Sequence, residues 1–234
     1  MSGALEGKRA FVTGASRGVG AAIARRFSEE GARVALASRA GDDLGLPGSV
    51  GLKCDVSDRA QVDEAVSSAV SELGGLDVVV ANAGMGAYGN FLDLEMEHVE
   101  QMIDVNLKGT LYTARATLPH LIEAGGGDFV SLASVAGLRA FPGETVYNAS
   151  KFGQVGFTRS LDHEMREHGV RCTNVCPGGV ATDFALDTGR PREVLEGMMS
   201  AEEAAEVVVF CVTRPRGVRM LTVSYRPMDE PSWG

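Results

Sequence analysis

The strongest constraint on this chain is an alternation between two hydrophobic periods. Seven short runs rich in β-branched and small apolar residues stand out: Arg9–Thr13, Arg33–Ser38, Val50–Asp55, Leu76–Asn82, Asp128–Ala133, Val170–Val175 and Val218–Tyr225. Between them lie Val19–Glu30, Asp58–Leu73, His98–Ala124, Val146–His168 and Ala201–Thr213, where apolar residues recur every three to four positions. Strand and helix repeated in turn produce βαβ crossovers and a parallel sheet. The expected fold is therefore α/β, a single-domain Rossmann-type doubly wound sheet of about seven strands with helices on both faces, occupying residues 1–234 as one unit. One connection is thin: Ala40–Ser49, with three glycines and a proline, has no room for a full helix and reads as a turn.

Composition narrows the class further. Thirty glycines with no triplet repeat, in a chain 44% hydrophobic, point to tight strand-to-helix turns instead of a linker. The longest apolar runs, Val78–Ala81 and Val207–Val212, fall far short of the roughly 18 residues a membrane span needs. Met1–Arg9 lacks an apolar leader, and Cys54, Cys172, Cys176 and Cys211 show no paired framework. The expectation is a cytoplasmic protein that neither enters a membrane nor, at a net charge of −9, binds nucleic acid. Basic residues nonetheless gather near the start, where the first forty positions hold seven Lys/Arg against three Glu.

The first strand runs through Thr13-Gly14-Ala15-Ser16-Arg17-Gly18-Val19-Gly20 directly into a helix, so its glycines let the backbone turn sharply and approach a pyrophosphate at the helix N-terminus. The spacing is G-x-x-x-G-x-G and not the ordinary G-x-G-x-x-G; read bare, it is also compatible with a turn that only packs helix on sheet. Where an NAD site would place a carboxylate on the ribose 2′-hydroxyl, this chain has Ser38 and Arg39, with no acid between Gly31 and Gly41. Arg17 and Arg39 can clamp a 2′-phosphate, which points to NADP(H) as the preferred cofactor with NAD(H) possible. The alternative is two solvated arginines, with Asp42 or Asp43 folding back onto the ribose.

Tyr147 and Lys151 stand four apart in a helical segment and share a face. A nearby ammonium favours phenolate and lowers the phenol's ordinary value near 10. Ser134, at the end of the fifth strand, can donate to a substrate oxygen, so a carbonyl would be polarised from two sides. Together these motifs make the chain resemble a short-chain dehydrogenase/reductase of the NADP(H)-preferring type over about residues 5–213. In that resemblance Thr13–Gly20 is the glycine motif, Asp55 and Val56 the adenine site, and Asn82-Ala83-Gly84 the N-A-G motif. Asn106, Ser134, Tyr147 and Lys151 fall on the catalytic tetrad. The resemblance implies that Tyr147 is the general acid/base and that Ser134 orients the substrate. It implies further that Lys151 also holds the nicotinamide ribose and that Asn106 anchors a relay water; read on its own, Asn106 is also compatible with a helix-bending role. Pro177, Gly178, Val180 and Thr182 match the segment that in the family contacts the nicotinamide end. Ala81 replaces a frequent Asn, and the ending Leu221–Met228 lacks the usual Asp-Gly-Gly, which puts the C-terminal tetramer contact in doubt.

The substrate expected is a hydrophobic or aromatic ketone, reversibly reduced to a secondary alcohol, in a pocket walled by Met85, Tyr88, Leu138, Phe141, Phe184, Met198 and Met199. Glu144 is either a solvated carboxylate at a helix start or a partner for a substrate amine or hydroxyl. Two other readings stand beside this one. A 3-oxoacyl-carrier-protein reductase would need a basic patch, for which only Arg139 and Arg190–Arg192 offer themselves. A catalytically silent NADP-binding sensor or scaffold is the third. No histidine or cysteine spacing suggests a metal. The long segments His98–Ala124 and Val146–His168 resemble the family's dimer helices, so a homodimer or homotetramer is implied.

Overall fold

The computed structural model describes residues 3–188 and 192–230. Seven parallel strands form one sheet in the order β3-β2-β1-β4-β5-β6-β7. They are β1 (Arg9–Thr13), β2 (Arg33–Ser38), β3 (Val50–Lys53), β4 (Val78–Ala81), β5 (Gly127–Leu132), β6 (Val170–Pro177) and β7 (Thr222–Tyr225). The order reverses between β1 and β4, which opens a crevice at their carboxyl ends. Helices α1 (Gly18–Glu29) and α7 (Ala201–Val212) cover one face, and α2 (Arg59–Leu73), α4 (Gly109–Glu123) and α5 (Thr145–Met165) the other.

Period-two alternation sorts side chains between two cores. Ala10, Val12, Val78 and Val80 meet Ile23, Phe27 and Val208 on the α1/α7 side, while Phe11, Val79 and Phe129 meet Val62, Leu118 and Leu161 on the opposite side. The turn expected at Ala40–Ser49 is present. Leu44 and Leu46 pack on the α1/α7 core where a crossover helix would otherwise sit. Gly51 makes room for this loop, since a Cβ there would lie 2.3 Å from the Gly41 carbonyl oxygen.

Three segments depart in kind from the sequence expectation. The segment His98–Ala124 is not one helix: α3 (Met96–Met102) passes through a π-helical turn, Ile103–Lys108, before α4. The turn's wider winding buries Asn106 completely. Residues Val218–Leu221 precede β7 as a loop because Arg171 takes the Val218 carbonyl at 2.9 Å, and that carbonyl would otherwise serve the ladder. A short helix, α6 (Asp183–Asp187), follows β6, where no helix is legible from periodicity.

Arg171 also ties the amino-terminal edge of the sheet together. Its Nε donates to Asp128 at 2.7 Å and its other nitrogens reach the carbonyls of Val212, Arg214 and Pro215, all from a buried position. Its removal would leave the buried Asp128 with the half-exposed Arg216 alone, at 2.9 Å, and take the donor from the carbonyls of Val212, Arg214, Pro215 and Val218. Arg171→Ala is expected to lower stability in urea unfolding by about 3–5 kcal/mol; a loss below about 1 kcal/mol would mean that the pair behaves as a solvated surface contact.

Candidate active site

All the loops that leave the carboxyl ends of β1, β2, β4, β5 and β6 open into one cavity of about 890 Å³. Its floor is the turn between β1 and α1. Thr13 Oγ1 accepts from the amides of Asn82 and Ala83 at 3.0 Å each, and Asn82 Nδ2 donates to the Thr13 carbonyl at 2.8 Å. The two loops are thereby locked in register. Gly14 adopts φ +65°, and a Cβ on Gly20 would lie 2.3 Å from the Gly14 carbonyl oxygen, so this turn closes only with glycines.

One end of the cavity is formed by Ser16, Arg17, Gly18, Val19, Ser38, Arg39, Asp55 and Val56. Arg39 is exposed beside the buried Ser38. Asp42 and Asp43 do not line it, because their carboxylates accept the amides of Leu44 and Gly45 at 2.7 and 2.9 Å within the turn. Arg17 reaches across to α6, where Nη2 sits 2.8 Å from Asp187 and Nη1 3.8 Å from Asp183. This crossing had no signal in the sequence, since the partners are 170 residues apart.

The other end holds Ser134, Tyr147 and Lys151. Tyr147 is buried, with its ring edge-on to Tyr88 at 5.5 Å and tilted against Phe184 at 6.0 Å. One turn on, Lys151 Nζ lies 5.6 Å from the Tyr147 ring centre and donates to the Leu132 carbonyl at 3.1 Å. Burial pulls this ammonium down to about 8, because little water remains to solvate its charge. Ser134 Oγ accepts the Ala136 amide at 3.1 Å, which leaves its own proton to donate.

Asn82, Ala83, Gly84, Pro177, Gly178, Val180 and Thr182 line the cavity as expected, as do Met85, Phe141, Glu144, Phe184 and Met198. Leu138 does not: it points outward, 38% exposed. Met199 stands behind the wall, paired with Val180 in a bridge. Arg190 lies outside the described residues, and Arg139 packs over the Phe141 ring at 5.3 Å. Asn106 is brought close without touching the cavity. Its Oδ1 accepts the Met85 amide at 2.8 Å, and its Nδ2 donates to the Met85 carbonyl at 2.9 Å and to Ser150 Oγ at 3.0 Å. Both amide protons are thus taken, one by the Met85 carbonyl of the cavity wall and one by Ser150 on α5. Among the described residues no group of three His, Cys, Asp or Glu is placed to hold a metal.

The model of the short chain dehydrogenases matches residues 8–193. The chain belongs to the short-chain dehydrogenase family. An uncharacterized oxidoreductase from Staphylococcus aureus is 35% identical over 96% of this chain and 99% of its own. The X-ray structure of an alcohol dehydrogenase from the archaeon Thermococcus sibiricus, complexed with 5-hydroxy-NADP, superposes with a TM-score of 0.88 at 31% identity. It covers 97% of this chain and 99% of that one. A 3-ketoacyl-(acyl-carrier-protein) reductase from Brucella melitensis complexed with NADH gives a TM-score of 0.87 at 26% identity, over 96% and 98% of the two chains. This short-chain dehydrogenase is accordingly an oxidoreductase, similar in structure to proteins solved with 5-hydroxy-NADP or with NADH.

The site also contains a brace that sequence reasoning missed. Asn148, buried beside Tyr147, accepts the Phe141 amide at 3.0 Å and donates to the carbonyls of Ala136 and Arg139 at 2.8 and 3.0 Å. One side chain thus fixes the loop that carries Phe141. No signal marks an Asn in a helix as a loop brace until its neighbours in space are known. Asn148→Ala is expected to cost about 2–3 kcal/mol in urea unfolding and to speed hydrogen exchange at the Phe141 amide; unchanged exchange there would show that the loop is held by other contacts.

Proposed function

We propose that this chain is an NADPH-dependent reductase that converts a hydrophobic or aromatic ketone to a secondary alcohol, reversibly, with Tyr147 as proton donor. The observation carrying this is that Tyr147, Lys151 and Ser134 all line one aromatic-walled cavity that also contains the glycine turn. The cavity fits a dinucleotide. It runs from Arg39 past the glycine turn to Tyr147, and the turn brings the N-terminus of α1 to its lining, where a pyrophosphate can be met. NADPH supplies a hydride to the carbonyl carbon when bound.

The chain's residues do the rest. Ser134 donates a hydrogen bond to the carbonyl oxygen, and Tyr147 gives that oxygen its proton. Lys151, cationic below pH 8 in its dry position, favours the phenolate left behind. Lys151 and the Asn82–Gly84 loop face the ribose beside the nicotinamide, Asp55 and Val56 the adenine, and Arg39 with Ser38 the 2′-phosphate. Asn106 acts through the wall it holds. Preference for NADPH over NADH is supported by the turn at 40–49, because Asp42 and Asp43 are spent on their own loop amides and bring no carboxylate to the ribose. Tyr88, Phe141 and Phe184 offer faces to an apolar ketone.

A carrier-protein substrate has less support because, of the basic residues on the cavity lining, Arg17 is already paired with Asp183 and Asp187, and the same lining carries Glu144 and Asp229. The four thiols are buried and unbridged, which suits the reducing cytoplasm, and no described helix is long and apolar enough to cross a membrane. Assembly as a homodimer or homotetramer through α4 and α5 is supported by the exposed Phe152 on α5.

The test is the initial rate of NADPH oxidation, with NADH beside it, over aryl ketones, diketones, 3-oxo esters and 3-oxoacyl thioesters. Strong NADPH-selective turnover of the ketones is expected. Tight NADPH binding without turnover of any carbonyl would favour the silent sensor instead. Tyr147→Phe is expected to lower kcat by about 10²–10⁴-fold with nucleotide binding retained, and Arg39→Ala to raise the KM for NADPH while leaving that for NADH unchanged. In the reductive direction kcat/KM is expected to fall as pH rises through about 8, where Lys151 loses its proton; a rate that rises through that range would contradict the need for the ammonium.

A further inference from the structure

Past β7 the chain folds back over the carboxyl edge of the sheet, and Pro227, Asp229 and Glu230 line the same cavity as Tyr147 and the glycine turn. The ending that departs from the family pattern is therefore a wall of the site.

Its anchor is Glu230. Oε2 accepts the Gly179 amide at 3.1 Å, and the Arg226 guanidinium, one helical turn earlier in sequence, stands 3.9 Å from Oε1. The Gly178 amide donates to the Tyr225 carbonyl at 2.8 Å, and the Glu230 amide to the Pro227 carbonyl at 3.2 Å, so the strap is itself a closed turn. It can approach only because residue 178 has no side chain: a Cβ there would lie 2.3 Å from Glu230 Oε2 and 3.2 Å from Arg226 Cγ. From the opposite side, the Met199 amide donates to the Gly179 carbonyl at 3.1 Å and the Ala181 amide to the Met199 carbonyl at 2.8 Å. Residues 178–180 are thus held between the strap and Met199. They lie along the stretch of cavity that a dinucleotide must follow from the glycine turn to Tyr147.

We propose that Glu230 is a positioning residue, which fixes the Gly178–Val180 backbone where it meets the nicotinamide half of the bound cofactor. The proposal rests on the dinucleotide reading of the cavity and is independent of which carbonyl is reduced. A backbone held before the ligand arrives loses less freedom on binding, and that gain is confined to the half of the ligand it touches.

The test is calorimetric titration of the full chain with NADPH and with 2′-phospho-ADP-ribose, which ends before the nicotinamide. Glu230→Ala is expected to weaken NADPH about tenfold and 2′-phospho-ADP-ribose less than about twofold. Glu230→Gln, which keeps an oxygen acceptor for the Gly179 amide, is expected to restore NADPH binding to within about threefold of the wild type. Equal weakening of both ligands would overturn the proposal in favour of a general folding role. So would no weakening of NADPH, or a Gln variant as weak as Ala. A wild-type chain that binds NADPH but reduces no ketone would sink the proposed function while leaving this comparison readable.

Discussion

The site depends on one awkward placement, an ammonium held almost without water beneath the carboxyl ends of β5 and β6. Lys151 is 3% exposed and its described hydrogen bond goes to the Leu132 carbonyl. A charge in such a place is costly unless it is paired or hydrogen-bonded. The Tyr147 ring stands one turn away on α5, its centre 5.6 Å from Nζ. Around this pair the structure is tightly packed. Gly137 lets α5 approach, since a Cβ there would lie 2.7 Å from the Lys151 carbonyl oxygen, and a Cβ on Gly84 would lie 3.8 Å from Nζ. Cys176, whose thiol burial pushes up to about 11, fills the space behind and stays uncharged.

Side-chain amides keep the loops around that ammonium in place. Asn82 holds the glycine turn, Asn106 holds Met85, and Asn148 holds the loop of Phe141. Asn82 ties the segment after β4 to the turn after β1, while Asn106 and Asn148 each tie a helical turn back to the loop that precedes it. Loops at a topological switch point carry unpaired backbone groups, and planar side chains that both donate and accept can satisfy several at once. The result is a rigid cavity on a rigid sheet, the condition under which fixed dipoles act on a developing charge without first reorganising.

Much of this was legible in the chain itself, for local reasons. Seven strands, their parallel order and the thin connection at 40–49 follow from periodicity and glycine placement, which are properties of neighbouring residues. Tyr147 and Lys151 are four apart on one helix, and Ser134 ends a strand, so their convergence follows from topology. What could not be read depends on contacts distant in sequence. The π-turn at Ile103–Lys108 keeps the apolar period of a plain helix, and only the burial of Asn106 against Met85 and Ser150 reveals it. Leu138 looks like a pocket residue by position but turns outward, and the Arg17–Asp187 crossing joins segments with no shared pattern. Glu230 is the clearest case, since a terminal acid gains meaning only beside Gly178.

The proposed function turns on electrostatics: the buried Lys151 ammonium favours ionisation of the Tyr147 phenol. The direct measurement is an ultraviolet difference titration of tyrosinate in the wild type, in Tyr147→Phe and in Lys151→Met. The account predicts one tyrosine ionising clearly below the ordinary phenol value of about 10, absent from Tyr147→Phe and moved upward in Lys151→Met. If no tyrosine ionises below that value in the wild type, or if Lys151→Met leaves the low transition in place, the account is contradicted.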